Sequence, residues 1–392
     1  MQMSMRVKEG LQHIPELDGL RGIAILAVMG FHFSGDTPVY FGKLAAVYWA
    51  FFYGGNGVDL FFVLSGFLIT SILLHTKESP QYFSSFYARR VLRIFPLYFL
   101  AVALFFYVEL PWLEHLYGAR STLRSEQIWY WTYLVNWHDT LGNIVGAMGH
   151  FWSLAIEEQF YFVWPLAIWL CSRKRVPLLC IGAIVLSTAL RLVCDLRGYE
   201  VEYIHRATFT RFDTLALGGL LAWIATDEHW MTVAQRCFKF VAPASLVLFA
   251  ANEFAHAELG RFAGYVTVSY SLMALMCGSL IFYGIAHTGD GTLLAKITRS
   301  AFLRNAGKYS YSMYIFHLVA KREAMVPIVN ALRGYGLPLS IAIIFGMVVC
   351  GLLTYAFALL TWNAFEKHFL KLKDRFPYDL PADTRIATVT TA

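Results

Sequence analysis

Ten stretches of this chain are apolar over enough consecutive residues to be read as bilayer crossings, and that repetition limits the fold more than any single motif does. A hydrocarbon core takes roughly 20 apolar residues per helical crossing and offers no water to backbone amides, so spanning segments must satisfy their own hydrogen bonds. The stretches lie near 20–33, 58–74, 94–110, 151–170, 176–193, 214–226, 240–252, 264–286, 310–329 and 337–365. Several are short or interrupted by polar residues, and the last can hold a span plus an interfacial continuation. The expected fold class is all-α: a polytopic membrane protein with about ten transmembrane helices in one bundle.

Composition agrees. Of the 392 residues, 58% are hydrophobic and only 15% are charged, against about a quarter charged in a typical soluble domain. The mean hydropathy is +0.52. Six cysteines, Cys171, Cys180, Cys194, Cys237, Cys277 and Cys350, are scattered singly and read as small hydrophobes rather than disulfides or metal ligands. The first apolar run carries His32 and lacks a small-residue cleavage site after it, so it is expected to stay in the mature protein. An integral plasma or inner membrane location follows, with membrane lipids as neighbours and no nucleic-acid partner.

Ten crossings put both termini on one side, and the basic residues say which. The segments on the proposed inner side hold 20 Lys and Arg residues, among them Arg6, Lys8, Arg89, Arg90, Arg93 and Arg385, against 10 outside, among them Lys43 and Arg120. Cytoplasmic loops are enriched in Lys and Arg, so both termini are expected to be cytoplasmic. The longest polar connection, 111–149, contains the aromatic run Trp129 to Tyr133, read as an interfacial belt on an outer-face loop with an amphipathic or re-entrant piece. No internal repeat of the kind found in many transporters is evident. The division expected is a transmembrane domain over 1–365 and a cytoplasmic tail over 366–392, basic first and then flexible.

Charges inside apolar segments are costly and mark functional sites by default. Arg21 and His32 stand eleven residues apart in the first stretch, about three helical turns, hence on nearly one face and separated by roughly 16 Å along the axis. Imidazole exchanges protons near neutral pH; the plainer alternative is a packing histidine and a snorkelling arginine. Glu157 and Glu158 enter another helix, which would stack His150, Ser153 or Leu154, Glu157 and Tyr161 along one side. Adjacent glutamates cannot face one point, so one meets a cation or the reaction centre while the other pairs structurally.

Arg211 and Asp213 precede the pair Gly218 and Gly219, glycines that let a neighbouring helix approach closely; the two charges serve substrate, partner helices or each other. Arg191 is a further charge within a span, partnered or at a cavity wall. Asp59 either caps the second span or packs within it. Arg89, Arg90 and Arg93 form a basic cluster at the mouth of the third span, suited to topology and anionic lipid or to a phosphate-bearing donor.

Taken in order, Glu16-Leu17-Asp18-Gly19-Leu20-Arg21-Gly22, the Arg21 and His32 pair, 58–67, 89–96, 151–165, 211–219 and Tyr309-Ser310-Tyr311-Ser312-Met313-Tyr314-Ile315-Phe316-His317 resemble the acyltransferase 3 family of integral-membrane O-acyltransferases. The resemblance covers nearly the whole chain. It implies a ten-helix core, acyl-CoA (acetyl-CoA first) as donor met from the cytoplasm, no metal, and transfer to a hydroxyl of a cell-surface glycan or lipid-linked sugar. By the family pattern His32 and Arg21 are the critical pair, with His32 a general base or an acyl relay and Glu157 or Glu158 orienting it. Arg89, Arg90 and Arg93 are then donor-binding residues, and Asp59, Arg211, Asp213 and His317 substrate-binding ones. Extended members append an extracytoplasmic hydrolase-like domain, and with only 30 residues after Trp362 a second transfer step is expected to need another protein. The alternatives are a small acceptor such as a macrolide or glycolipid, and a transporter whose Arg, His and Glu residues line an ion path.

Overall fold

The computed structural model describes residues 13–34, 45–117, 122–140 and 148–378. Expectations resting on Arg6, Lys8, Lys43, Arg120 and Arg385, and on the outermost parts of the proposed domain and tail, lie outside the described residues. Among the described residues the secondary structure is helical throughout, with no strand.

The principal helices are α1 (Pro15–Ser34), α2 (Gly57–Thr76), α3 (Tyr82–Leu104), α4 (Phe151–Leu170), α5 (Val176–Leu196) and α6 (Phe212–Ile224). They continue with α7 (Glu228–Leu259), α8 (Tyr265–Ala286), α9 (Ala301–Lys308), α10 (Ser310–Ala320) and α11 (Leu339–Thr361). Helix overlaps each of the ten apolar stretches, but seven of the described helical segments are long and apolar enough to cross a membrane, and α6 is a shorter apolar helix. The chain is a multi-pass membrane protein, although about ten crossings were expected. α4 has the length of a span; it buries Phe151, Ala155, Ile156, Phe160 and Ile168 and exposes Phe162, Leu166 and Leu170. On α7, Phe240, Leu246, Val247, Leu248 and Phe254 are exposed, as suits a helix at the lipid boundary.

Three helices pass through a π-helical turn without ending: α3 at Phe105–Glu109, α10 at Lys321–Met325 and α11 at Trp362–Glu366. Such turns reset the helical register and recur at functional sites.

Backbone contacts between glycines set the closest helix crossings. A Cβ on Gly66 of α2 would stand 1.9 Å from the Leu215 carbonyl oxygen of α6, and one on Gly218 would stand 2.1 Å from that of Val63. The expectation for Gly218 is met by this reciprocal approach, in which small residues let two backbones touch. α1 meets α9 the same way through Gly22 and Gly307, while Gly19 comes against the Thr298 carbonyl just before α9. Tight packing on both sides of α1 fixes the rotation of the helix that carries Arg21 and His32.

The aromatic run after Gln127 departs from the expected surface belt. A short helix, Ile128–Trp131, folds against α3, burying Tyr130 and Tyr133; Tyr133 stacks on Tyr98 with ring centroids 4.0 Å apart, and Trp131 stacks on Phe99. Gln159 of α4 holds this piece by donating to the Tyr133 carbonyl and to Asn136 Oδ1, both at 2.9 Å. Aromatic area and amide hydrogen bonds together outweigh the interface preference that the sequence alone suggests.

Candidate active site

α1 turns His32 inward. Its Nδ1 lies 3.1 Å from the Val28 carbonyl oxygen and 3.1 Å from His317 Nε2 of α10. His317 is wholly buried, and its Nδ1 donates to the Tyr314 carbonyl at 2.7 Å. A third imidazole, His150 at the start of α4, lies against His317 with ring centroids 4.9 Å apart, the same separation as between His32 and His317. His150 Nε2 contacts the Ile315 carbonyl at 3.2 Å, and Tyr314 Oη donates to the His150 carbonyl and pairs with Ser153 Oγ at 2.6 Å. Three elements, α1, α4 and α10, thus converge on one imidazole cluster. Among the described residues no set of three His, Cys, Asp or Glu side chains is arranged to hold a metal ion.

Two turns along α4 from His150 the chemistry changes. Ser65 Oγ of α2 donates to Glu157 Oε1 at 2.6 Å, and the charges of Arg21 and Arg93 act on that carboxylate. Glu158 points elsewhere, among Tyr98, Tyr133 and Tyr311 and in the field of Arg90, with its buried Oε1 unbonded. The two glutamates therefore lie in different surroundings, Glu157 bonded to Ser65 and Glu158 among tyrosines. Neither hydrogen-bonds His32 among the described residues; the ring is held by His317 and a backbone carbonyl instead.

Arg21 lies with Arg90 and Arg93 at the end of the bundle opposite His32, and their charges act on one another. The C-terminal segment adds Lys373, almost wholly buried, on which Arg93, Arg90, Arg89 and Arg21 all act. None of Arg21, Arg90, Arg93 or Lys373 forms a salt bridge with a described residue. The acids nearest in sequence to Arg21 are already engaged: Asp18 by His13 at 2.5 Å, and Glu16 by the Gly289 amide at 3.0 Å and by Arg299. Arg89 differs from its neighbours in the cluster. It donates to the carbonyls of Lys373 and Phe376 and lies over the Tyr378 ring, tying the C-terminal segment across the mouth of α3.

Asp59, Arg211 and Asp213 form a separate buried network. Arg211 pairs with Asp59 at 2.7 Å, and Arg191 pairs with Asp213 at 2.7 Å while also donating to the Thr210 carbonyl and Ser271. Asp59 is therefore an ion-pair partner rather than a helix cap, because α2 begins two residues before it with Asn56 in the capping position. Arg211 and Asp213 each find a partner on another helix, and Arg211 also lies 4.5 Å from the Tyr270 ring centroid. His317 meets neither of these acids.

The described helices that carry these groups, the segment of Lys373 aside, are the ones a family model covers: the model of the acyltransferase domain known as acyltransferase 3 matches residues 14–363. This chain belongs to that family. Among relatives of the acyltransferase 3 chain, the peptidoglycan O-acetyltransferase OatA of Listeria monocytogenes is 28% identical over 80% of this chain and 50% of its own. A putative O-acetyltransferase of Staphylococcus aureus (strain COL) is 26% identical over 97% of this chain and 62% of its own. The putative peptidoglycan O-acetyltransferase YrhL of Bacillus subtilis is 32% identical over 54% of this chain and 33% of its own. The chain spans about half the length of the first of these relatives. No solved structure matches it.

Sequence reasoning did not find Ser65 as the partner of Glu157, Gln159 as the tie to the aromatic segment, or Lys373 as part of the basic cluster. For Ser65 the signal was a polar break in an apolar span. For Lys373 nothing local distinguished it from the other lysines of the tail.

Proposed function

We propose that this protein transfers an acyl group, acetyl in the first instance, from acyl-CoA to a hydroxyl of a cell-surface glycan or lipid-linked sugar. The observation that carries the reading is a division along α1: an imidazole held by a second imidazole at one end, and at the other four cations that form no salt bridge with a described residue. Guanidinium and ammonium groups suit the phosphates of a CoA donor through charge-assisted hydrogen bonds. Arg21 and His32 are separated by about 16 Å along the helix, so an extended donor can leave its phosphates at the basic end and bring its thioester toward His32. The names of the relatives support a glycan acceptor, and the basic end faces the cytoplasm on this reading, with both termini.

The chemistry needs a base because a sugar hydroxyl holds its proton far too tightly to ionise at neutral pH. His32 takes that proton as the hydroxyl oxygen attacks the thioester carbonyl; the carbon–sulfur bond breaks, and the CoA thiolate leaves and recovers the proton from His32. An acyl-imidazole relay uses the same ring and the same two ends. Glu157, bonded to Ser65, sits between the two ends and within the field of Arg21.

Purified protein in lipid nanodiscs, given labelled acetyl-CoA and a glycan oligosaccharide, tests this directly. The wild-type chain is expected to label the acceptor, and His32→Ala and Arg21→Ala to lose the activity while inserting and eluting as folded protein. Retained turnover in both variants would remove the site assignment. Movement of solute through proteoliposomes without an acyl donor, together with no transfer, would point to a transporter instead.

A further inference from the structure

We infer that His317 is a positioning residue that fixes the tautomer of His32 and thereby makes Nε2, and not Nδ1, the basic nitrogen; the inference rests on the reading of His32 as the base. The Tyr314 carbonyl fixes the first proton. A carbonyl oxygen only accepts, so the 2.7 Å contact from His317 Nδ1 places a proton on that nitrogen. A neutral imidazole carries one N–H, which leaves His317 Nε2 as an acceptor. The atom facing it at 3.1 Å is His32 Nδ1, which must then be the donor. The Val28 carbonyl, 3.1 Å from the same His32 nitrogen, shares that N–H with His317 and agrees with the assignment. Two acceptors on one ring atom settle the tautomer, and the lone pair of neutral His32 resides on Nε2.

Burial makes the arrangement rigid. His317 has no exposed surface and both of its nitrogens are engaged, so it meets substrate only through His32. It does not pass a proton onward, because its Nδ1–H ends on a carbonyl. Its effect is to accept from His32 more strongly once His32 is charged, since a hydrogen bond from a cationic donor is the stronger one. This is the role a carboxylate fills beside a catalytic histidine in other hydrolytic and transfer enzymes, performed here by a neutral group in a segment where a carboxylate is costly. The titratable groups facing the pair are His150 of α4 and Tyr314 of α10, with Lys321 one turn beyond His317. The π-helical turn at Lys321–Met325 follows directly, after a hydrogen bond from the Lys321 amide to the His317 carbonyl.

The test compares His317→Phe, which keeps ring volume but cannot accept, with His317→Gln, whose amide can donate to the Tyr314 carbonyl and accept from His32. For His317→Phe, kcat for acetyl transfer is expected to fall on the order of 100-fold, the lower end of what a positioned base contributes. KM for acetyl-CoA should stay within twofold. The acid limb of the kcat–pH profile should move to lower pH, because loss of the acceptor disfavours charged His32. His317→Gln is expected to recover most of the rate and return the limb toward its original position. An inactive His32→Ala beside an unimpaired His317→Phe, or a His317→Gln as inactive as His317→Phe though folded and able to bind acetyl-CoA, overturns this inference alone. Wild-type turnover by His32→Ala overturns the base reading and this inference with it.

Discussion

Two sets of charges lie inside this bundle, and the fold treats them oppositely. Toward the end where α2 begins, Asp59, Arg211, Asp213 and Arg191 are buried and paired, each guanidinium 2.7 Å from a carboxylate on another helix. Toward the end where α1 begins, Arg21, Arg90, Arg93 and Lys373 crowd together with no carboxylate at ion-pair distance among the described residues, and the three arginines stay partly accessible. Isolated charges in an apolar interior are costly in both places. The first set is neutralised when the helices assemble, so it joins α2, α5 and α6 to one another. The second forms no ion pair with a described carboxylate, and on the proposed reading an anionic donor completes it. A charge compensated within the fold serves as scaffold, and on the proposed reading a charge left without an ion-pair partner is where the donor binds.

The sharpest way to break that contrast is to remove one member of a pair. Arg211→Ala leaves Asp59 buried and unpaired, and breaking such a pair costs about 3 to 5 kcal/mol. Solubilised protein followed by intrinsic fluorescence on heating should unfold far below the wild type or fail to accumulate. A double variant, Asp59→Asn with Arg211→Gln, is expected to regain at least half of the loss, since no charge is stranded. If the double variant loses as much as the two single variants added together, the pair is not coupled and its scaffold role fails.

The opposite substitution, Arg93→Ala, should leave the unfolding temperature unchanged or raise it, because a like charge is removed from a crowded site. Binding should suffer instead. Losing one charge-assisted hydrogen bond of about 1.5 kcal/mol raises KM for acetyl-CoA on the order of 10-fold, with kcat little changed. The effect should shrink as salt screens the remaining cations. A lower unfolding temperature with an unaltered KM would make the basic cluster structural and erase the distinction between the two ends.

How much of this contrast a sequence can carry depends on the length scale of the interaction. The helices were legible because a run of apolar residues is a local property, and so was the pairing of Arg21 with His32 on one face, which follows from helical geometry within α1. The close crossing at Gly218 was legible for the same reason. Compensation is not local. Asp59 and Arg211 are 152 residues apart, so nothing near Asp59 distinguishes an ion-pair partner from a helix cap. The glutamates next to one another in α4 were expected to reach His32, but that ring is met by His317, 285 residues away. The aromatic run after Gln127 reads as an interface belt by composition; its burial depends on Gln159 and on the stacking surface of α3. Lys373 gains its meaning only from the three arginines of α3 and from Arg21.

The finest division falls within the basic cluster itself. Arg89, four residues before Arg93 on α3, is already engaged: it donates to the Lys373 carbonyl at 3.0 Å and to that of Phe376 at 3.2 Å. Ser85 assists by donating to the Pro377 carbonyl at 2.7 Å. If compensation decides which cations wait for a ligand, Arg89→Ala should behave as a structural change despite its place among donor-binding candidates. The expected stability loss is about 1 kcal/mol, that of a partly exposed hydrogen-bonded tie, with KM for acetyl-CoA within about twofold of wild type. Limited proteolysis should report the loosened segment as faster cleavage after Lys373 or Arg375. A KM that rises as far for Arg89→Ala as for Arg93→Ala would mean that proximity to the cluster, and not the absence of a partner, determines which cations hold the donor.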